Sequence, residues 1–419
     1  MADGSSLPQD VQRTGNQHEQ SSIVIGICTP QLYIGFVYWI YRETALKDRS
    51  GPLFRKFIGA VALLHQKNME DAFAILLSAY HPSLHLLGIS TVHGNSSINH
   101  TTYNATSLLT AISATHIPVY RGSGAELVRP GVHAPAIHGE SGLEGTDLLP
   151  TPAKGPVDEP AIDAMAKALF ATPAGSAWVV ATGALTNIAL CFQKYEGLAE
   201  HIKGVSIMGG SVGNGFTNAV LGQVDHKERI GNWSVWAEFN ILVDPEAAAF
   251  IFDHPVLKTK AVLIPLDITH QVLATKEVQD MLRNGKEGKE NTTLRTMLVE
   301  LLTFFAATYD RVFGISEGPP LHDPLAVAVI MDGISGAEIP FYDFKDGRKR
   351  ERFEVKVVTE GSHDDAQKGS ETGRTIVKLL PEGEEGVKIP RGLDIKRFWE
   401  VAEDCLARAD AANKANGIV

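Results

Sequence analysis

From Asp71 onward the chain alternates two patterns: a short apolar run of strand length, then a segment whose apolar residues recur at helical spacing. LHLLGISTVHGN, IPVYRG, SAWVVATG, KGVSIMGG and KAVLIPLD read as strands. DAFAILLSAY, TTYNATSLLTAISAT, AIDAMAKALFA, ALTNIALCFQ and DPEAAAFIFD read as helices. Wholly apolar strands need cover on both faces, and intervening helices supply it. The pattern therefore predicts an α/β fold: a single domain with a mostly parallel, open Rossmann-like sheet flanked by helices. Such sheets bind ligands beyond the carboxyl ends of their strands. Here those ends carry the polar or glycine-rich clusters VHGN, VATGALTN, IMGGS and PLDITH. Residues 212–236 form a long polar stretch that reads as a lid-like loop. Residues 345–392, rich in charge and glycine, read as surface hairpins and loops, and LDIKRFWEVAEDCLARADAANKA as a final amphipathic helix.

The domain proper is expected over 68–412. Residues 1–22 are polar and read as a disordered N-terminus, without the basic region and adjoining apolar stretch of a signal peptide. Residues 23–67 follow no clear period. Within them IVIGICTPQLYIGFVYWIY, residues 23–41, is uncharged over a length that can cross a bilayer, with Arg42, Lys47 and Arg49 behind it. Pro30 and Gln31 near its middle argue against a membrane span, and Ile23–Cys28 reads as a buried strand. A net charge of −11 with a pI near 5.8 argues against a nucleic-acid surface and suits a cytoplasmic protein that handles small molecules. Cys28, Cys191 and Cys405 are too few and too scattered for a disulfide framework or a zinc site, and read as buried or free thiols.

Three stretches concentrate acids, amides and histidines. HDP occupies His322–Pro324. WAEFNILVDPEAA, Trp236–Ala248, holds Glu238, Asn240 and Asp244. A helix start accounts for Asp244 ahead of Pro245 and Glu246, but leaves Glu238 and Asn240 unexplained. AIHGESGLEG, Ala136–Gly145, sets His138 and Glu140 among glycines, as a plain surface loop also would.

In order along the chain, EDAFAIL, VHGN, IHGESGL, TGALTNIA, MGG, AEFNILVDPEAA, LDITHQVLAT and HDPLAVA resemble the inosine–uridine-preferring nucleoside hydrolases, over roughly residues 66–410. The stretch before AEFN and the string GRTIV resemble the fungal branch. The resemblance implies an enzyme that hydrolyses the N-glycosidic bond of purine or pyrimidine ribonucleosides to base and ribose, assembles as a homo-oligomer and holds one Ca²⁺ at the floor of its site. By that resemblance the metal ligands are Asp71, the carbonyl of Thr182 and Asp323, hard oxygen donors of the kind Ca²⁺ takes. Asn95, Asn232, Glu238 and Asn240 correspond to residues that hold the ribose, and Met208 to one that lines the sugar pocket. His322 corresponds to the acid that protonates the leaving base, and His138 and Tyr309 to residues beside that base. The implied chemistry passes through an oxocarbenium-like ribosyl transition state, with water deprotonated by a carboxylate.

One part departs from that pattern. The family's D-x-D-P-G-x-D-D loop aligns with Leu64-His65-Gln66-Lys67-Asn68-Met69-Glu70-Asp71. Gln66 stands where a metal-binding general base belongs, and an amide cannot take a proton from water. Lys67 adds a positive charge beside a cation site. Three accounts are open: residues 27–67 are a gene-model error such as a retained intron; the protein is a catalytically impaired nucleoside-binding pseudoenzyme with weakened Ca²⁺ affinity; or Glu70 serves as the substitute catalytic carboxylate.

Overall fold

Tyr33–Phe36 (β1), Ile89–Thr91 (β2), Val119–Arg121 (β3), Ala177–Ala181 (β4), Gly204–Met208 (β5) and Ala261–Ile264 (β6) are the strands of the α/β core. A computed structural model describes residues 33–36, 69–94, 97–129, 145–224, 227–288, 291–334, 338–343 and 350–418. In it β1, β4, β5 and β6 form a parallel sheet in that order, with Tyr33 opposite Ala177, Trp178 opposite Gly204 and Val205 opposite Ala261. β2 and β3 form a parallel pair, Ile89 opposite Val119. Every strand read from the sequence beyond Asp71 is present, each shorter than its apolar run, because the flanking residues turn into loops.

β1 comes from the stretch weighed as a membrane span. Its residues pair with a central strand of the sheet, and among the described residues no helix is long and apolar enough to cross a membrane. The strand expected at Ile23–Cys28 and the disordered segment expected at 1–22 lie outside the described residues.

Nine helices carry the argument: Met69–Tyr80 (α1), Ile98–Ala111 (α2), Ala161–Phe170 (α3), Thr186–Lys194 (α4), Phe239–Val243 (α5), Pro245–Asp253 (α6), Thr293–Phe313 (α7), Asp323–Ala328 (α8) and Ile395–Ala415 (α9). α1 packs between α8 and α9. Phe73, Ala74, Ile75, Leu76 and Leu77 are fully buried, so this helix is covered on all sides, as an apolar helix must be. Its acidic first turn, Glu70 and Asp71, therefore enters the interior.

Of the stretch 345–392, the described residues 350–392 are less superficial than expected. Phe353–Val357 (β7) and Thr375–Leu379 (β8) form an antiparallel hairpin that packs on α6. Phe353 and Val355 are buried while Glu354 and Lys356 face outward. The charge that marks this stretch belongs to one face, and the pleat hides the other.

Two stability predictions arise here. Arg295 on α7 is fully buried and grips α9: its Nη atoms donate to both Glu403 oxygens at 2.9 Å, and its Nε to Asp410 at 2.6 Å. Glu403→Ala leaves a buried guanidinium short of a partner and is expected to lower unfolding free energy by about 3 kcal/mol. A urea midpoint equal to that of the parent chain contradicts this. The second concerns His81, whose imidazole is pushed down to about 4 by burial and by Arg408 and Arg397, opposed by Asp404. The unfolded chain binds this proton below about pH 6.5, the folded one only near 4. Stability is therefore complete above pH 6.5, falls on acidification to 4, and the His81 contribution to that fall is about 3 kcal/mol. His81→Phe should flatten the pH dependence of the melting temperature between those limits.

Candidate active site

The turns that follow β4, β5 and β6 and the N-termini of α1, α5 and α8 meet at the carboxyl end of the sheet. Asp71 enters from α1, where the helix N-terminus favours a carboxylate. Thr182, just beyond β4, donates its hydroxyl to Asp71 Oδ1 at 3.2 Å. Asp323, the first residue of α8, also reaches Asp71, and burial together with Asp71 and Glu238 holds its carboxyl well above the usual range. Its Oδ2 is buried with no hydrogen-bond partner among the described residues.

Glu238 is buried beside this pair. It caps α5, accepting the backbone N–H of Gly210 at 2.8 Å, Asn240 at 2.9 Å and Ile241 at 3.2 Å. Burial pushes its carboxyl up to about 7 against those donors. The close approach of Gly210 explains the MGG string. Gly210 has φ +73°, and a Cβ there would lie 2.8 Å from Thr375 Oγ1. Asn240 Nδ2 spans the floor, donating to the carbonyls of Thr182 at 3.3 Å and Met208 at 3.2 Å. Asn232 Oδ1 takes the N–H of Phe239 at 2.9 Å and so supports the turn that presents Glu238.

On the other side stands His322. Its Nε2 is 2.6 Å from the Tyr309 hydroxyl and its Nδ1 2.5 Å from Thr269 Oγ1. Glu70 lies against the same turn: Oε2 accepts the His322 backbone N–H at 3.2 Å, and Oε1 is 3.9 Å from Nε2. Burial, then Asp323, raises the Glu70 carboxyl well above its ordinary value.

The structure thus brings together Glu70, Asp71, Thr182, Met208, Glu238, Asn240, Tyr309, His322 and Asp323, with Asn232 supporting them. Asn95, His138 and Gln66 lie outside the described residues. Sequence reasoning missed Thr269 and His270, although both sit in the polar cluster PLDITH at the end of β6. It also missed Asp267, which pins the glycine-rich turn through the N–H groups of Val212 at 2.7 Å and Gly213 at 2.9 Å. A second network knits three motifs from behind: Thr186 Oγ1 lies 2.6 Å from Asp244 Oδ2 and 3.4 Å from His93 Nε2.

Buried carboxylates, an amide and a histidine converging at the carboxyl end of a parallel sheet mark the candidate site of an α/β enzyme. The chain belongs to the inosine-uridine preferring nucleoside hydrolase family, whose sequence pattern matches residues 67–400. It is 38% identical over 344 residues to the uridine nucleosidase of Saccharomyces cerevisiae, covering 81% of this chain and 94% of that protein. It is 35% identical over 263 residues to the pyrimidine-specific ribonucleoside hydrolase RihA of Salmonella newport (strain SL254), 62% of this chain and 76% of that one. A purine-preferring ribonucleoside hydrolase from Gardnerella vaginalis shares the fold, with a TM-score of 0.66 at 23% identity over 83% of this chain and 98% of the other. The protein is accordingly a nucleoside hydrolase, an N-ribosyl glycosidase of a family that is generally metal-dependent.

Proposed function

We propose that this hydrolase acts on pyrimidine ribonucleosides, uridine foremost, and that His322 with Tyr309 protonates the departing base. The observation that carries the reading is the pairing of His322 Nε2 with the Tyr309 hydroxyl at 2.6 Å beside the buried acids. A pyrimidine leaves as an anion unless a proton reaches it, and the pair supplies a donor at the edge of the floor. The names of the yeast and bacterial relatives favour a pyrimidine. Glu238 and Asn240, with Asn95 and Asn232, hold the ribose hydroxyls, for which an acceptor and an amide donor are suited. Met208 lines the sugar side, and His138 joins the base side. Glu70, a buried carboxylate 3.9 Å from His322 Nε2, takes a proton from the attacking water.

The floor fits Ca²⁺. The Asp71 and Asp323 carboxylates raise each other's proton affinity, and Asp323 Oδ2 is buried without a donor among the described residues. A hard cation satisfies both conditions. Asp71, Asp323 and the Thr182 carbonyl would hold it, and it would supply positive charge that lowers the pKa of a nearby water. A homo-oligomer resident in the cytoplasm and serving nucleoside catabolism completes the proposal.

The test is release of free ribose from uridine and inosine by the full chain with Ca²⁺. Uridine is expected to turn over faster, and chelation of the metal to abolish turnover. Faster turnover of inosine sinks the pyrimidine assignment. Binding by calorimetry without ribose release would establish the binding-only alternative, which neither the family nor the named relatives favour.

A further inference from the structure

The imidazole of His270 stands in the aromatic group around His322. Its ring centroid is 5.3 Å from that of His322 and 6.1 Å from those of Tyr309 and Phe313. His270 Nδ1 is 2.7 Å from the carbonyl oxygen of Val220. A carbonyl only accepts, so Nδ1 carries the hydrogen and Nε2 presents a bare lone pair. His270 is 5% exposed, and its Nε2 is buried with no hydrogen-bond partner among the described residues. A buried acceptor left without a donor is unfavourable.

Among the described residues no donor relieves it. Both nitrogens of His322 face Thr269 and Tyr309. Arg229, which lies over Phe313, spends its Nε on Gly231 and Nη2 on Asn232. Protonation is no escape, because burial and Arg229 push the imidazole down to about 4. Inverting the tautomer would break the bond to Val220. The Nε2 acceptor is thus fixed in type and unpaired, on a ring packed against Tyr309 and His322.

We propose that His270 determines base specificity: its Nε2 accepts the ring N–H of a base such as uracil, where that N–H sits between two carbonyls. Cytosine presents a bare ring nitrogen at the same place, which sets lone pair against lone pair. This rests on the ribonucleoside reading above and names the residue that selects among ribonucleosides. A site built around such a bond rejects the analogue lacking the hydrogen far more strongly than an apolar pocket can.

The experiment compares uridine, 3-methyluridine and cytidine on the full chain with Ca²⁺, by equilibrium binding and by ribose release on the same samples. Uridine is expected to bind at least tenfold tighter than either of the others. His270→Phe keeps the ring, removes the acceptor, and should cut uridine affinity at least tenfold while leaving cytidine within twofold. An unchanged uridine-to-cytidine ratio in that variant overturns the proposal. Should the variant fail to fold, equal binding of all three nucleosides by the parent chain overturns it as well. Discrimination in binding with no ribose released would support the role of His270 and sink the pyrimidine-hydrolysis reading alone.

Discussion

Phenylalanine in place of His322 is expected to lower kcat on uridine by about 10²–10⁴-fold, the usual scale of a lost general acid. The loss should shrink to about tenfold or less on a riboside of p-nitrophenol, whose leaving group departs without a proton. The contrast follows from geometry. The ring nitrogens of His322 bond to Tyr309 and Thr269, and Nε2 lies 3.9 Å from Glu70 rather than within hydrogen-bond distance of it. Its removal should therefore spare the steps that depend on the floor and slow the one that depends on the base. Tyr309→Phe breaks the 2.6 Å bond while leaving His322 in place. It should show the same leaving-group dependence at a smaller amplitude. Equal losses on both substrates would mean that His322 supports the turn carrying Asp323 rather than the departure of the base.

The legible parts of this molecule are those whose signals are local. β4 and β5 are covered on both faces and could be read from their residues alone, because a strand buried in a parallel sheet shows no strict polar alternation. The hairpin of β7 and β8 was legible as a hairpin but not as a covered one. Its outward Glu354 and Lys356 are as prominent in the sequence as its inward Phe353 and Val355. The floor was visible through the residues that local structure left unexplained. Glu238 was one of these, and it turns out also to cap a short helix, a role hidden because α5 is too brief to show a period.

What could not be read depends on partners distant in the chain. Thr269 meets His322 across 53 positions and Glu70 meets its backbone across 252. No spacing rule encodes either contact. β1 is a similar case. Tyr33-Ile34-Gly35-Phe36 carries no more strand signal than its neighbours, and its place is set by pairing with β4, a strand far away in the chain. The family match begins at residue 67, one position beyond Gln66, so the resemblance ends where the proton-accepting carboxylate was expected.

Restoring that carboxylate gives the second large effect. The triple change Gln66→Asp, Lys67→Pro and Asn68→Gly is expected to raise kcat on uridine about 100-fold or more and to tighten Ca²⁺ at least tenfold. These positions lie outside the described residues. By the family's loop pattern an aspartate at 66 would add a negative oxygen donor, loss of Lys67 would remove a positive charge from the loop, and a carboxylate can accept the proton that glutamine cannot. The parent chain supplies the control through Glu70. If Glu70 is the working base, Glu70→Gln lowers kcat about 100-fold in the parent and far less in the restored triple variant, where the aspartate takes over. If Glu70 only braces the His322 turn, through its 3.2 Å bond to the backbone, Glu70→Gln costs a similar factor in both backgrounds. A triple variant no faster than the parent would remove Gln66 as the lesion. Paired with a large Glu70→Gln loss in the parent, it would place the catalytic carboxylate on the first turn of α1.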